Sequence, residues 1–430
     1  MYLLKAPLIK YIITIASFVL LIYGCTAIVK PVAGNFNGDP LDISEEISPQ
    51  AIQLIQEAFA DFKSGELVDS HTHIIGLGTG DTGTWVNPDM QKGWHWIKRL
   101  KFAVYKSASG IQHEDNADQE YIDRLVKLID GMHPFDTHTE GMRFFILAFD
   151  KHYDRAGKED LSRTTFYVPN EYIISLAKQY PQFFIPVVSI HPYRKDALQA
   201  LDKWHKQGVR FIKWLPNSQG MNPADKSIIP FYKKMAANNM VLITHTGDEK
   251  AVEGEEFQRL GNPQLLSLPL QQGVTVIMAH LATLGMCEDT QNTQRVVSCF
   301  QLAIEMLEDK RYEKNLFADI SAITQNNRTD KLEEILDKQA LHSRFINGSD
   351  YPLPAINILY KTSQLADMRF ISDDEKQQLN EIYAYNPILF DFVLKRTIKS
   401  PHSGNKLLKD AFITPDKISK RSTSTYEPMQ

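Results

Sequence analysis

Eight short apolar runs recur along this chain, and their spacing constrains its fold more than any other feature. They are residues 67–75 (LVDSHTHII), 143–150 (RFFILAFD), 183–191 (FFIPVVSIH), 209–216 (VRFIKWLP), 240–247 (MVLITHTG), 274–281 (VTVIMAHL), 316–322 (LFADISA) and 344–351 (RFINGSDY). Between them lie helix-like segments at 170–178, 195–206, 232–239, 294–308 and 330–338. Near-continuous apolar strands alternating with helices imply a parallel sheet covered on both faces. The runs begin 76, 40, 26, 31, 34, 42 and 28 residues apart. A (β/α)8 barrel of about 250 residues allots roughly 30 to each unit. The count and the spacing therefore predict an α/β fold, a distorted (β/α)8 TIM barrel. The strand count alone also suits a doubly wound sheet, but Gly76-Leu77-Gly78-Thr79-Gly80 lacks the GxGxxG spacing of a phosphate-cradling turn. Only the first interval is far too long. Residues 76–142 read as an insertion at the active-site face, with its tryptophans Trp85, Trp94 and Trp96 as packing residues.

A length of 430 residues would ordinarily suggest two or three domains. Local composition reduces that to one barrel over 66–398, preceded by an export or anchor segment (1–30) and a linker with an N-terminal helix (31–65), and followed by a polar tail (399–430). The first 30 residues carry Lys5, Lys10 and Lys30 and no acidic group, and Tyr11 to Val29 is a run of 19 residues without a charge. That run is long enough to span a bilayer, and it also has the layout of a signal peptide. Leu21-Ile22-Tyr23-Gly24-Cys25 resembles a bacterial lipobox, with bulky Tyr23 where a small residue is preferred. A lipidated Cys25 and an uncleaved single-span anchor are both compatible with these residues. Either one places the barrel on the extracytoplasmic side, periplasmic or extracellular, and tethers it to a membrane. The remaining chain holds 44 basic against 52 acidic residues, a net of −8, which favours neither nucleic acid nor adsorption to anionic lipid. Three cysteines are too few for a disulfide scaffold, although Cys287 and Cys299 can pair in an oxidising compartment.

Polar residues gather at the carboxyl ends of the predicted strands, where barrel enzymes build their sites. The first strand ends in Asp69-Ser70-His71-Thr72-His73. Residues i and i+2 of a strand share a face, so His71 and His73 project together and can hold one divalent cation. Lys213 lies near the end of the fourth strand, His245 ends the fifth, His280 ends the sixth and Asp350 ends the eighth. An H-x-H alone is weak evidence; its recurrence with these residues at one depth is not. His191 ends the third strand as a substrate contact or a structural histidine. Asp319 near the seventh strand end suits a structural role as well as a functional one, and Gly247-Asp248-Glu249 after the fifth is a polar loop that can contact substrate. His95, His113, His133, His138 and His152 fall in the insertion or in loops; they can line a pocket, but most are expected to be solvated.

With these residues the chain resembles the amidohydrolase superfamily, metal-dependent enzymes on a distorted (β/α)8 barrel, and above all its amidohydrolase-related branch. The resemblance covers most of residues 66–396. Besides the strand-end residues, it includes Pro192-Tyr193-Arg194, Ile212-Lys213-Trp214-Leu215-Pro216, Gly348-Ser349-Asp350-Tyr351-Pro352 and Asn386-Pro387. It implies that His71, His73 and His245 are metal ligands, and that Asp350 is both ligand and general base. It implies that His280 is a ligand in a two-metal site, or polarises substrate in a one-metal site. Lys213 would be a carboxylated bridge between two metals, or an ordinary lysine salt-bridged inside the barrel, the latter slightly favoured.

Three imidazoles and a carboxylate suit Zn²⁺, one ion or two, with Mn²⁺ or Fe²⁺ as alternatives. Such a site activates water at neutral pH, so the leading expectation is hydrolysis of a C–N or C–O bond in an amide, lactam, lactone or ester of a small molecule. The alternative within the same superfamily is non-oxidative decarboxylation, with Asp350 or His280 protonating carbon. A non-catalytic tethered barrel is the least favoured reading.

Overall fold

The computed structural model describes residues 29, 31–34, 38–135, 141–415 and 418. Residues 1–28, with Cys25, lie outside them, as does His138. No helix among the described residues is long and apolar enough to cross a membrane.

All eight expected strands form. They are β1 (Val68–His73), β2 (Arg143–Leu147), β3 (Phe184–Val188), β4 (Phe211–Trp214), β5 (Val241–Thr244), β6 (Thr275–Met278), β7 (Leu316–Asp319) and β8 (Phe345–Ile346). They pair in parallel in chain order from β1 to β8. The edges then meet. Ser70 N donates to Asn347 O at 2.9 Å, Asp350 N to His71 O at 2.7 Å and His73 N to Tyr351 O at 2.9 Å. This closure makes a barrel and rules out the doubly wound sheet, whose strand order reverses at a switch point.

Alternation along each strand separates two cores. Phe145 and Leu147 of β2, Ile185 and Val187 of β3, Phe211 of β4, Val241 and Ile243 of β5, Ile277 of β6, Phe317 of β7 and Ile346 of β8 fill the barrel interior. Their neighbours Phe144, Ile146, Val188, Ile212 and Trp214 face the helices outside. The same period of two carries Lys213, His245, Asp319 and Asp350 inward above that packed floor, because each lies two or four residues after an interior apolar residue.

Two expectations are corrected. The segment 294–308 is not one helix: Asn292–Ser298 is a strand paired antiparallel with Met286–Asp289, and the helix begins at Cys299. Ser298 ends the strand and caps the helix, its Oγ accepting from Gln301 N at 3.2 Å. Cys287 and Cys299 are joined in a disulfide, which fastens that hairpin to the first helical turn. Two tryptophans of the insertion do not pack at all: Trp94 is 97% and Trp96 67% exposed. Residues 400–415, at the start of the polar tail, lie against the body. Leu407, Ala411 and Phe412 are buried, with Phe412 against Phe62 and Phe392 and under the Arg396 guanidinium, and Leu67 bridges to Ile413. Ile418 joins the interior cluster. Apolar side chains spaced through a polar segment were enough to draw it onto the body.

Phe412→Ala removes a fully buried ring from this closure. It is expected to destabilise the protein by about 3–5 kcal/mol, read as a shift of the urea unfolding midpoint; a change under 0.5 kcal/mol would return the segment to the surface.

Candidate metal centre

The centre starts from an irregularity in β1. Val68 points into the barrel, so strict alternation would turn His71 and His73 away from it. The β1–β2 register shifts between Asp69 and Thr72. A bulge of this kind re-aims the side chains that follow it, and here it delivers both histidines to the mouth. Asp69 fixes the bend, its Oδ1 accepting from His71 N at 3.0 Å and from Ser349 N at 2.9 Å. Burial raises the Asp69 pKa against those hydrogen bonds.

His71 Nε2 and His73 Nε2 lie 3.2 Å apart, and Asp350 Oδ1 is 3.6 Å from the first and 3.3 Å from the second. These three side chains, two of them buried, form a group that could hold a metal ion. A second such group is His71, His280 and Asp319. Asp319 Oδ2 lies 2.9 Å from His71 Nδ1. That carboxylate holds the proton on Nδ1 and leaves the Nε2 lone pair facing Asp350, the arrangement that orients metal-binding imidazoles. His245 repeats the pattern. Its Nδ1 is 3.3 Å from Glu249 Oε2, while its buried Nε2 has no hydrogen-bond partner. An orphaned imidazole nitrogen on the wall of the same cavity as two converging histidines and a carboxylate is what a bound divalent cation would satisfy, so the residues fit a metal.

His280 sits in a left-handed turn, with φ of 59°, 48° and 50° at His280, Leu281 and Ala282. Positive φ at residues other than glycine costs about 1–3 kcal/mol each. The turn is held by Asp319 Oδ1, which accepts from His280 N at 2.9 Å, and by Thr283, whose N and Oγ1 donate to His280 O at 3.0 and 2.8 Å. His280 Nδ1 meets Ser321 Oγ at 2.7 Å and lies 3.9 Å from Asp350 Oδ2. Asp350 is likewise left-handed, at φ 63°.

Burial pushes His71 and His280 well below the usual imidazole range, and His245 below it too, so all three are neutral and able to ligate at neutral pH. Burial would raise the Asp350 carboxyl, but its interactions with His71, His73 and Lys213 outweigh it and hold its pKa below the usual value. Lys213 departs from the expected salt bridge. Its Nζ donates to His71 Nε2 at 2.8 Å, and no carboxylate lies within ion-pair distance among the described residues. Burial lowers its pKa to about 8. Its hydrogen bond occupies the lone pair a metal would use, so metal binding at His71 requires Lys213 to turn away.

The remaining candidates divide. His191 is structural: Nε2 donates to Gln219 O at 2.9 Å and Nδ1 accepts from Tyr193 N at 3.2 Å. His152 was expected in solvent but is buried, with Nδ1 3.1 Å from Ser218 O. His95, His113 and His133 are exposed, as expected. Sequence reasoning missed Ser321 and Arg328. Arg328 is buried in the loop after β7, lines the same cavity, and donates from Nη1 to Thr283 Oγ1 at 2.7 Å. No acidic side chain pairs with it among the described residues. Nothing in the spacing of Gln325-Asn326-Asn327-Arg328 distinguishes it from a loop cation. His71, His73, Lys213, His245, His280, Arg328 and Asp350 open onto one cavity of about 560 Å³, with walls that include Ile74, Phe149, Phe166, Leu215, Leu284 and Ile356.

No family model matches the sequence, and no curated protein matches it. Solved structures resemble the chain in fold. An uncharacterized TIM-barrel protein from Bordetella bronchiseptica is 14% identical, with TM-score 0.45, covering 76% of this chain and 95% of that one. A probable 2-pyrone-4,6-dicarboxylic acid hydrolase from Acinetobacter baumannii is 12% identical, with TM-score 0.42, over 74% and 100%. The 5-carboxyvanillate decarboxylase from Sphingomonas paucimobilis is 10% identical, with TM-score 0.44, over 83% and 99%. Superpositions this loose establish neither a shared reaction nor corresponding residues.

Two outcomes follow from this geometry. Gly348 lies where β8 presses on β1; a Cβ there would sit 2.9 Å from His71 Cβ and 3.2 Å from Ser70 Oγ. Gly348→Ala is expected to cost about 1–3 kcal/mol and to weaken zinc binding at least tenfold in a calorimetric titration; unchanged affinity would uncouple the closure from the site. For His191, burial lowers the folded pKa from its ordinary 6.5 to about 3. Below pH 6.5 the unfolded chain therefore takes up a proton that the folded one refuses. Stability should fall by up to about 1.4 kcal/mol per pH unit from this group between those values. His191→Gln should flatten that part of the stability–pH curve, and a parallel curve would contradict the assignment.

Proposed function

We propose that this protein is a metal-dependent hydrolase that cleaves a C–N or C–O bond, in an amide, lactam, lactone or ester, with an activated water. The observation that carries the proposal is the convergence of His71, His73 and Asp350 beside the unpartnered His245 Nε2 in one large, mostly apolar cavity. The ligand chemistry of imidazole and carboxylate favours Zn²⁺, held by His71, His73, His245 and Asp350. When bound, such an ion lowers the pKa of water toward 7 and polarises a carbonyl.

The protein side of the mechanism follows from hydrogen bonding. Asp350 is ionised and faces the shared space, so it accepts the proton of the attacking water and returns it to the leaving group. Asp319, hydrogen-bonded to Nδ1, holds His71 in the tautomer that leaves Nε2 unprotonated, and the Glu249 carboxylate, 3.3 Å from His245 Nδ1, favours the same tautomer there. His280, proton on Nδ1 toward Ser321, is fixed in orientation beside Asp350. Lys213, once displaced from His71, supplies a buried cation near a developing oxyanion.

A second reading, decarboxylation of an acid with proton delivery to carbon, is favoured by Arg328. A buried guanidinium with no carboxylate partner suits an acidic substrate, since an unpaired buried charge is costly. The same residues serve both reactions, and incorporation of ¹⁸O from water into the product separates them.

Asp350→Asn should keep the fold, because the backbone N of residue 350 and not its carboxylate closes the barrel. It should lower kcat at least 100-fold on whichever substrate a panel of esters, lactones, amides and aromatic acids identifies. Retention of more than a tenth of wild-type kcat in a zinc-loaded, folded variant would remove Asp350 as the base.

A further inference from the structure

One face of the molecule remains unexplained by this chemistry. From Gln91 to Gln112 the chain holds Lys92, Lys98, Arg99, Lys101 and Lys106 and no acidic residue, within a body of net negative charge. The helix Trp96–Ala108 starts in this stretch. It buries Phe102, Tyr105 and Ala108 against the body. Ile97, Leu100, Lys101 and Val104, at helical spacing, turn instead to the metal-centre cavity and line it. At the start of the helix the apolar residues stand in the open: Trp94 97%, Trp96 67%, Ile97 63% and Leu100 37% exposed. Across the mouth, Ile358 is 49% exposed and lines the same cavity.

An exposed apolar cluster of this kind marks an interaction surface. Exposed tryptophans flanked by lysine and arginine are the composition of a helix lying in a membrane interface. Three acidic groups moderate the charge: Lys98 Nζ pairs with Glu253 at 2.5 Å and lies 3.7 Å from Asp89, and Lys106 pairs with Glu114. Lys92 and Arg99 remain exposed and without a carboxylate within ion-pair distance among the described residues. The lining also includes Val29, the last of the 19 uncharged residues from Tyr11 to Val29, and Val32 three positions on. The rim, the basic flank and Val29 therefore meet at one opening.

We infer that the rim formed by Trp94, Trp96, Ile97 and Leu100 docks on an anionic lipid bilayer, so that the cavity opens toward the membrane and takes an amphiphilic substrate from it. The docking stands on the surface alone; the substrate class rests on the hydrolase reading of the cavity. An apolar tail would leave the lipid past Ile97, Leu100 and Ile358 and lie along the apolar wall, bringing its polar group to the histidines.

The full chain is reconstituted into vesicles of phosphatidylcholine and phosphatidylglycerol (1:1) carrying brominated acyl chains, and its tryptophan fluorescence is compared with that of Trp94→Phe/Trp96→Phe. Quenching of the wild type should exceed that of the double variant at least threefold, and it should fall by half or more in pure phosphatidylcholine. Equal quenching of the two proteins would overturn the docking, whether a second copy, a soluble protein or residues 1–28 covers the rim. A dodecanoyl and an acetyl ester of one alcohol then test the substrate class. Trp94→Gln/Trp96→Gln should lose at least fivefold in kcat/KM on the vesicle-borne dodecanoyl ester and none on the acetyl ester. Equal loss on both would overturn the substrate class. Quenching as expected with no ester or amide turned over would overturn the hydrolase reading and leave the lipid-facing rim in place.

Discussion

The hydrogen bonds between the first and last strands are the constraint on which the rest depends. They turn an eight-stranded sheet into a barrel, and they do so at the residues that carry the chemistry. Asp350 N donates to His71 O, His73 N donates to Tyr351 O, and Asp69 accepts from both strands. Closing the fold and bringing His71 and His73 to Asp350 are therefore one event. From the helix Pro387–Thr397 the closure gains an outer support: Lys395 Nζ donates to Gly348 O at 2.6 Å and pairs with Asp391 at 2.5 Å, a buried carboxyl that burial pushes up to about 7.

The electrostatics of the cavity have one direction. Neutral imidazoles and an ionised Asp350 face it, while Asp319 and Glu249 stand behind the histidines. Lys213 and Arg328 are the buried cations on its wall, and each is bonded to a neutral partner, His71 for one and Thr283 for the other. Burying such charges without carboxylates is unfavourable for folding. Their retention there is consistent with a site arranged for a ligand, and the strained backbone at His280 and Asp350 points the same way.

Most of the frame was legible in the sequence. Eight apolar runs became eight strands, because residues buried on both faces of a parallel sheet leave no polar alternation to misread. His245 and Asp350 were legible because a period of two extends from Ile243 and Ile346 to them. His71 and His73 were found by their mutual spacing, although the bulge that aims them, and the left-handed turn that presents His280, leave no periodic trace. Arg328 and Ser321 were missed for the same reason: their placement depends on loops whose course is set by tertiary contacts. The strand over 292–298 read as helix because its register is fixed by a partner strand and a disulfide rather than by its own pattern. The exposure of Trp94 and Trp96 was equally unreadable, since large aromatics ordinarily pack.

The central claim is that β1 and β8 close around a metal site. Anomalous diffraction from a crystal soaked in zinc tests it most directly. The account predicts a peak at about 2.0–2.2 Å from Nε2 of His71 and His73 and from a carboxylate oxygen of Asp350, with Lys213 moved off His71. A zinc-saturated crystal with no density between these three residues, or with Lys213 still bonded to His71 Nε2, would contradict it.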